Sequence, residues 1–111
     1  MPRLNIKNKI LTEFTKGTIN NQTANKFKVT REYIRQIRTR YQNSNVENLL
    51  DKINQTIFKI TPLEYNRYRF LIDAKLVRIE SIDFLKNRRL VITPLGLDWL
   101  AYLRQKLPAD F

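Results

Sequence analysis

Between positions 31 and 40 the chain reads REYIRQIRTR, with arginine at 31, 35, 38 and 40 and with Gln36 and Thr39 between them. On a helix, Ile34, Ile37 and Tyr41 follow the i, i+3, i+7 spacing of an inward stripe, which turns Arg31, Glu32, Arg35, Gln36, Arg38 and Thr39 outward. The chemistry open to that strip is planar hydrogen bonding. A guanidinium offers two parallel N–H donors to guanine or to a phosphate, and a carboxamide matches the edge of adenine. Thr39 adds a hydroxyl and a methyl. The same pattern also describes an ordinary amphipathic helix with a charged solvent face.

Other chemistry is scarce. The 111 residues contain no cysteine, so neither a disulfide framework nor a thiolate metal site is expected, and the reducing cytoplasm is the expected compartment. They contain no histidine, which removes the commonest general base together with the commonest zinc ligand. No catalytic residue, metal or cofactor is expected, and an enzyme is not. No run approaches the roughly 18 apolar residues that span a bilayer, and the first ten residues, MPRLNIKNKI, lack the continuous apolar region of a signal peptide. A membrane partner is therefore not expected either.

The formal net charge is +11 and the pI about 10.3, which favours a polyanionic partner, nucleic acid ahead of an anionic membrane. Residues 1–42 hold ten Lys/Arg against Glu13 and Glu32, a net +8, so the charge is concentrated around the arginine strip. A merely solubilising basic surface is the alternative.

The elements that must position the strip follow from local signals. Ile6, Ile10, Leu11 and Phe14 give residues 5–16 one apolar helical face, and Gly17 suits the end of that helix. Ile19 is placed to pack across the bend, and Asn20 to cap a second helix running to about Phe27. Lys28, Val29 and Thr30 then turn the chain, with Thr30 capping the helix from Arg31 to about Tyr41. Ala24 is small where that helix would cross closely. Lys28 can occupy the turn only if its backbone avoids the left-handed region or the fold absorbs the cost. After the polar break QNSN, residues Val46, Leu49, Leu50, Ile53 and Ile57 form a core stripe, and 58–60 read as a short extended segment. Thr61, Pro62 and Glu64 start a further helix, with Leu63, Tyr68, Leu71 and Ile72 expected to be buried.

Two short helices about a tight turn at residues 20–41, the second strongly basic, resemble the helix-turn-helix of DNA-binding regulators. The resemblance implies that Arg31, Arg35, Gln36 and Thr39 face the major groove. It assigns Asn21, Gln22, Lys26, Lys28, Thr30, Arg38 and Arg40 to supporting, phosphate or approach contacts.

From Leu76 the period changes. Val77, Ile79 and Ser81 alternate with Arg78, Glu80 and Ile82, and Arg89 to Ile92 form a second β-rich run beyond DFLKNR. A hairpin with a basic tip that follows a helix and returns into another at Thr93-Pro94 resembles the wing of winged-helix regulators. That resemblance implies DNA contacts by Lys86, Arg88 and Arg89; a surface hairpin that only packs the core is the alternative. Two helices intervene between Tyr41 and Val77. Either the hairpin belongs to an elaborated domain, or the helix from Pro62 leads into it and presents a second recognition surface.

The last helix, residues 93–107, is more apolar than one core-facing stripe requires, so Trp99, Leu100, Leu103 and Leu107 are expected at a homodimer interface. The whole reads as one domain, 1–111, mainly α with one β-hairpin and winged helix-turn-helix-like. Within it lie a basic segment at 1–42, supporting helices at 46–75, a hairpin at 76–92 and a closing helix. The expected partner is double-stranded DNA and the expected role a small dimeric transcription regulator. The alternatives are an architectural, segregation or replication accessory protein of a plasmid or virus with little sequence preference, and a protein-interaction module built on the last helix.

Overall fold

The computed structural model describes residues 6–17 and 21–105, together with the backbone but not the side chains of Asn20 and Lys106. The expectations for Ile19, the Asn20 cap and Leu107 lie outside that description. The chain is mainly helical with a small antiparallel sheet. Its order is α1 (Lys7–Thr15), α2 (Asn20–Phe27), α3 (Arg31–Tyr41), α4 (Ser44–Gln55), β1 (Phe58–Ile60), α5 (Tyr65–Asp73), β2 (Val77–Ile82), β3 (Arg88–Ile92) and α6 (Pro94–Lys106).

Boundaries fall where local hydrogen bonding dictates. Gly17 ends α1 at φ 85°. The Thr30 hydroxyl accepts the Tyr33 N–H, and the Asn43 side chain accepts that of Val46, capping α3 and α4. Thr61 and Glu64 form a complete capping box, although the turn it starts, Pro62–Glu64, is a 3-10 turn that becomes α-helical only at Tyr65. Lys28 does adopt the left-handed conformation, φ 56°, and Lys75 repeats it at φ 61°. In each case the next N–H reaches five residues back, Val29 to the Ala24 carbonyl and Leu76 to that of Leu71, both at 3.0 Å. These bonds satisfy helix-end carbonyls and offset the Cβ strain of a lysine where glycine is usual.

The sheet order is β1-β3-β2. Phe58 to Ile60 pair with Leu90 to Arg88, so the segment expected to be merely extended is a third strand. β2 and β3 form the hairpin, with an irregularity between Ile79 and Ser81 that leaves Glu80 as the extra residue.

One cluster of buried side chains runs through α1, α3, α4, the sheet and α6. Trp99 is its hub. The residue is fully buried, packs on Phe14 of α1 and Tyr102, and donates its indole N–H to the Tyr41 carbonyl at 2.9 Å. Leu100 and Leu103 are likewise buried within the chain. The dimer surface expected on Trp99, Leu100 and Leu103 is therefore corrected. The apolar width of α6 serves two helical neighbours, α1 and α4, and the central strand β3. Leu63 corrects another expectation: it is 95% exposed, because the 3-10 turn rotates it off the stripe that a continuous α-helix would have given.

Candidate nucleic-acid interface

The arginine strip is held by a helix whose inner side is immobilised. Ile34, Ile37 and Tyr41 are buried. The Tyr41 hydroxyl donates to the Phe70 carbonyl at 2.9 Å, and the two rings lie 5.7 Å apart. Burial raises the Tyr41 pKa from 10.0 to about 12, so this bond persists at any physiological pH. Ala24, nearly inaccessible, sits where α2 and α3 approach, and the Glu13 carboxylate of α1 receives Lys26 of α2 at 2.9 Å. α1 and α2 thus back α3.

The outer side is open. Arg35, Gln36, Thr39 and Arg40 are exposed and, with Lys7, Tyr33 and neighbouring atoms, line an open groove of about 510 Å³. Arg35 Nη1 lies 3.2 Å from Glu32 Oε2, a solvent-exposed i, i+3 pair of little energy and readily exchanged. Arg31 Nη1 donates to Asn21 Oδ1 at 3.4 Å, which makes Asn21 a support for that arginine. Gln22 and Lys28 are exposed beside them, and the Thr30 hydroxyl is engaged as the cap.

Several expected contacts are drawn elsewhere. Arg38 is not on the outer strip: its guanidinium lies 4.1 Å above the Phe14 ring and donates to Gln42 at 2.7 Å and to the Tyr102 hydroxyl at 3.3 Å. Arg40 stacks over Phe70 at 5.1 Å and keeps only part of its reach. Lys26 is held by Glu13.

At the hairpin, Arg88 lies over the Tyr65 ring at 4.5 Å and Arg89 pairs with the bulged Glu80 at 3.1 Å, so both are engaged within the chain where the β2–β3 ladder meets the turn. Only Lys86, in a left-handed turn position at φ 68°, stands out with the tip. Phe84 and Leu85, beside it, are 88% and 63% exposed. They were missed as site residues, although two large apolar side chains within a turn segment are an anomaly visible in the sequence. Lys7 was missed because its place beside α3 depends on the packing of α1.

Among the described residues no cluster of carboxylates suits a metal ion, and no helix is long and apolar enough to cross a membrane. No family model, curated protein or solved structure matches the chain.

Proposed function

We propose that the chain binds double-stranded DNA, with α3 entering the major groove and reading sequence in the manner of a small transcription regulator. The observation that carries this reading is the outer face of α3. Arg35, Gln36 and Thr39 point away from a helix locked on its other side, and they lie within the most basic part of the chain. Eleven residues give a helix about 16 Å long, which suits the roughly 12 Å width of the major groove.

Arg35 is the base-reading residue. A bidentate contact to guanine discriminates by about 1–3 kcal/mol, more than the exposed pair with Glu32 that it would displace. Gln36 and Thr39 read neighbouring bases, Arg31 is held toward the duplex by Asn21, and Lys28 and Lys7 meet phosphates. The β2–β3 hairpin is read as a wing, linked to α3 through α5.

The test is selection of bound duplexes, then titration of selected and random duplexes at one salt concentration. The expected ratio of affinities is at least about 10³. Arg35→Ala should weaken the selected site more than random DNA. A ratio near one would instead identify an architectural binder of phosphates. Failure to bind any duplex at low salt would refute the proposal.

A further inference from the structure

We infer that the hairpin tip is an apolar wedge, Phe84 and Leu85, that enters the minor groove and unstacks a base step; this rests on the DNA-binding reading. The tip is organised without help from either side chain. Lys86 N–H donates to the Asp83 carbonyl at 2.9 Å and Asp83 N–H to that of Asn87 at 3.0 Å. The Asp83 carboxylate accepts the N–H groups of Leu85 and Asn87 at 3.0 and 2.9 Å, and Lys59 of β1 lies 3.9 Å from its second oxygen. The turn therefore holds two large apolar groups in water while drawing no packing from them, an arrangement that suits an occupant outside the chain.

Charge points to which occupant. Lys86 adjoins Leu85 and has no ion-pair partner among the described residues. The hairpin around it, residues 76–92, holds Arg78, Lys86, Arg88 and Arg89 against Glu80 and Asp83, a net +2. A purely apolar partner would leave Lys86 and that field uncompensated, whereas a minor groove offers phosphates at its rim and base steps at its floor. Phe and Leu are side chains that wedge such steps apart.

Placement agrees. α5 carries Phe70 against Arg40 and Tyr41 at the end of α3, and Tyr65 against Arg88 where the ladder meets the tip. Those two contacts are five residues apart, about 7.5 Å along the helix. The minor groove flanking a major-groove site begins about half a turn away, roughly 17 Å. The tip, residues 83–87, begins where the ladder ends at the Ile82–Arg88 pair, so it lies beyond that second contact, at the end of the hairpin away from Val77 and Ile92.

The experiment uses the full chain, 30-base-pair duplexes with end labels for energy transfer and 2-aminopurine beside a central TA step, and the variant Phe84→Ala/Leu85→Ala. The wild type should bend the duplex and raise 2-aminopurine fluorescence. The variant should melt at the wild-type temperature, keep its salt dependence, lose both signals, and bind about 5- to 150-fold more weakly, as expected on losing a side chain stacked on a base. Wild-type binding with neither bending nor a fluorescence change overturns the wedge while leaving the DNA reading intact. Absence of any duplex binding overturns both. Tip-dependent binding to phosphatidylcholine/phosphatidylglycerol vesicles, or tip-dependent self-association by sedimentation, without a DNA signal would assign the tip to a membrane or to a second copy and overturn the wedge.

Discussion

Replacing Gly96 with alanine sets two effects of opposite sign against each other, and the geometry decides between them. Gly96 lies in the first turn of α6, where alanine is ordinarily favoured over glycine by about 1 kcal/mol. A Cβ at Gly96, however, would stand 2.0 Å from the Leu76 carbonyl oxygen and 2.6 Å from Ile92 Cγ1. Carbon and oxygen approach no closer than about 3.3 Å even in favourable contacts, so α6 must move away by more than about 1 Å.

That displacement pulls on Thr93. Its hydroxyl shares its one proton between the Lys75 and Leu76 carbonyls, at 2.6 and 3.0 Å, and it accepts the Gly96 N–H at 3.0 Å. Overpacking costs about 1–3 kcal/mol and the loosened Thr93 bonds about 1–2 kcal/mol; less the helix gain of about 1 kcal/mol, Gly96→Ala should destabilise by about 1–4 kcal/mol. At about 4 °C per kcal/mol, the melting temperature should fall by roughly 4–16 °C. Urea unfolding followed by the single, buried Trp99 measures the change directly, with the midpoint lowered and the slope unaltered. A variant as stable as the wild type would refute the close approach of α6 to the turn after α5.

Arg38→Ala should lower stability by about 1–3 kcal/mol, through lost stacking on Phe14 and lost bonds to Gln42 and Tyr102, and should leave the salt slope of DNA binding unchanged; a flatter slope would return Arg38 to the phosphates. Leu103→Glu should unfold the chain, because an unpaired carboxylate at a fully buried position costs several kcal/mol; a folded variant in circular dichroism would place Leu103 on a surface. Glu64 is held below the ordinary glutamate pKa of 4.5 by the backbone and hydroxyl of Thr61. Its contribution is therefore complete above that value and is lost as pH falls through the lower folded pKa. Glu64→Gln should flatten the acid limb of stability between those two values, and an identical acid limb would show that the capping box carries no charge term.

Signals that act within three or four residues were legible before any fold was known. The cap at Thr30, the Thr61–Glu64 box, the glycine at the end of α1 and the inward stripe Ile34, Ile37, Tyr41 all concern hydrogen bonds or faces set by spacing along one helix. The outward position of Arg35, Gln36 and Thr39 follows from the same spacing. What depended on partners far along the chain was not legible. Arg38 meets Tyr102 across 64 positions, and Trp99 meets Tyr41 across 58, so whether that arginine or that tryptophan faced solvent was decided only when α6 closed against α1 and α3. The spare apolar width of α6 could equally have served a second chain until α1, α4 and β3 covered it. β1 acquired its strand character from β3, three residues being too few to announce it alone. At the hairpin the amino-acid order located the turn, but register placed Arg88 on Tyr65 and Arg89 beside Glu80. Packing fixed the strands up to Arg88 and left Phe84 and Leu85 outside it, because periodicity states which residues share a face and only the assembled core decides which faces are covered.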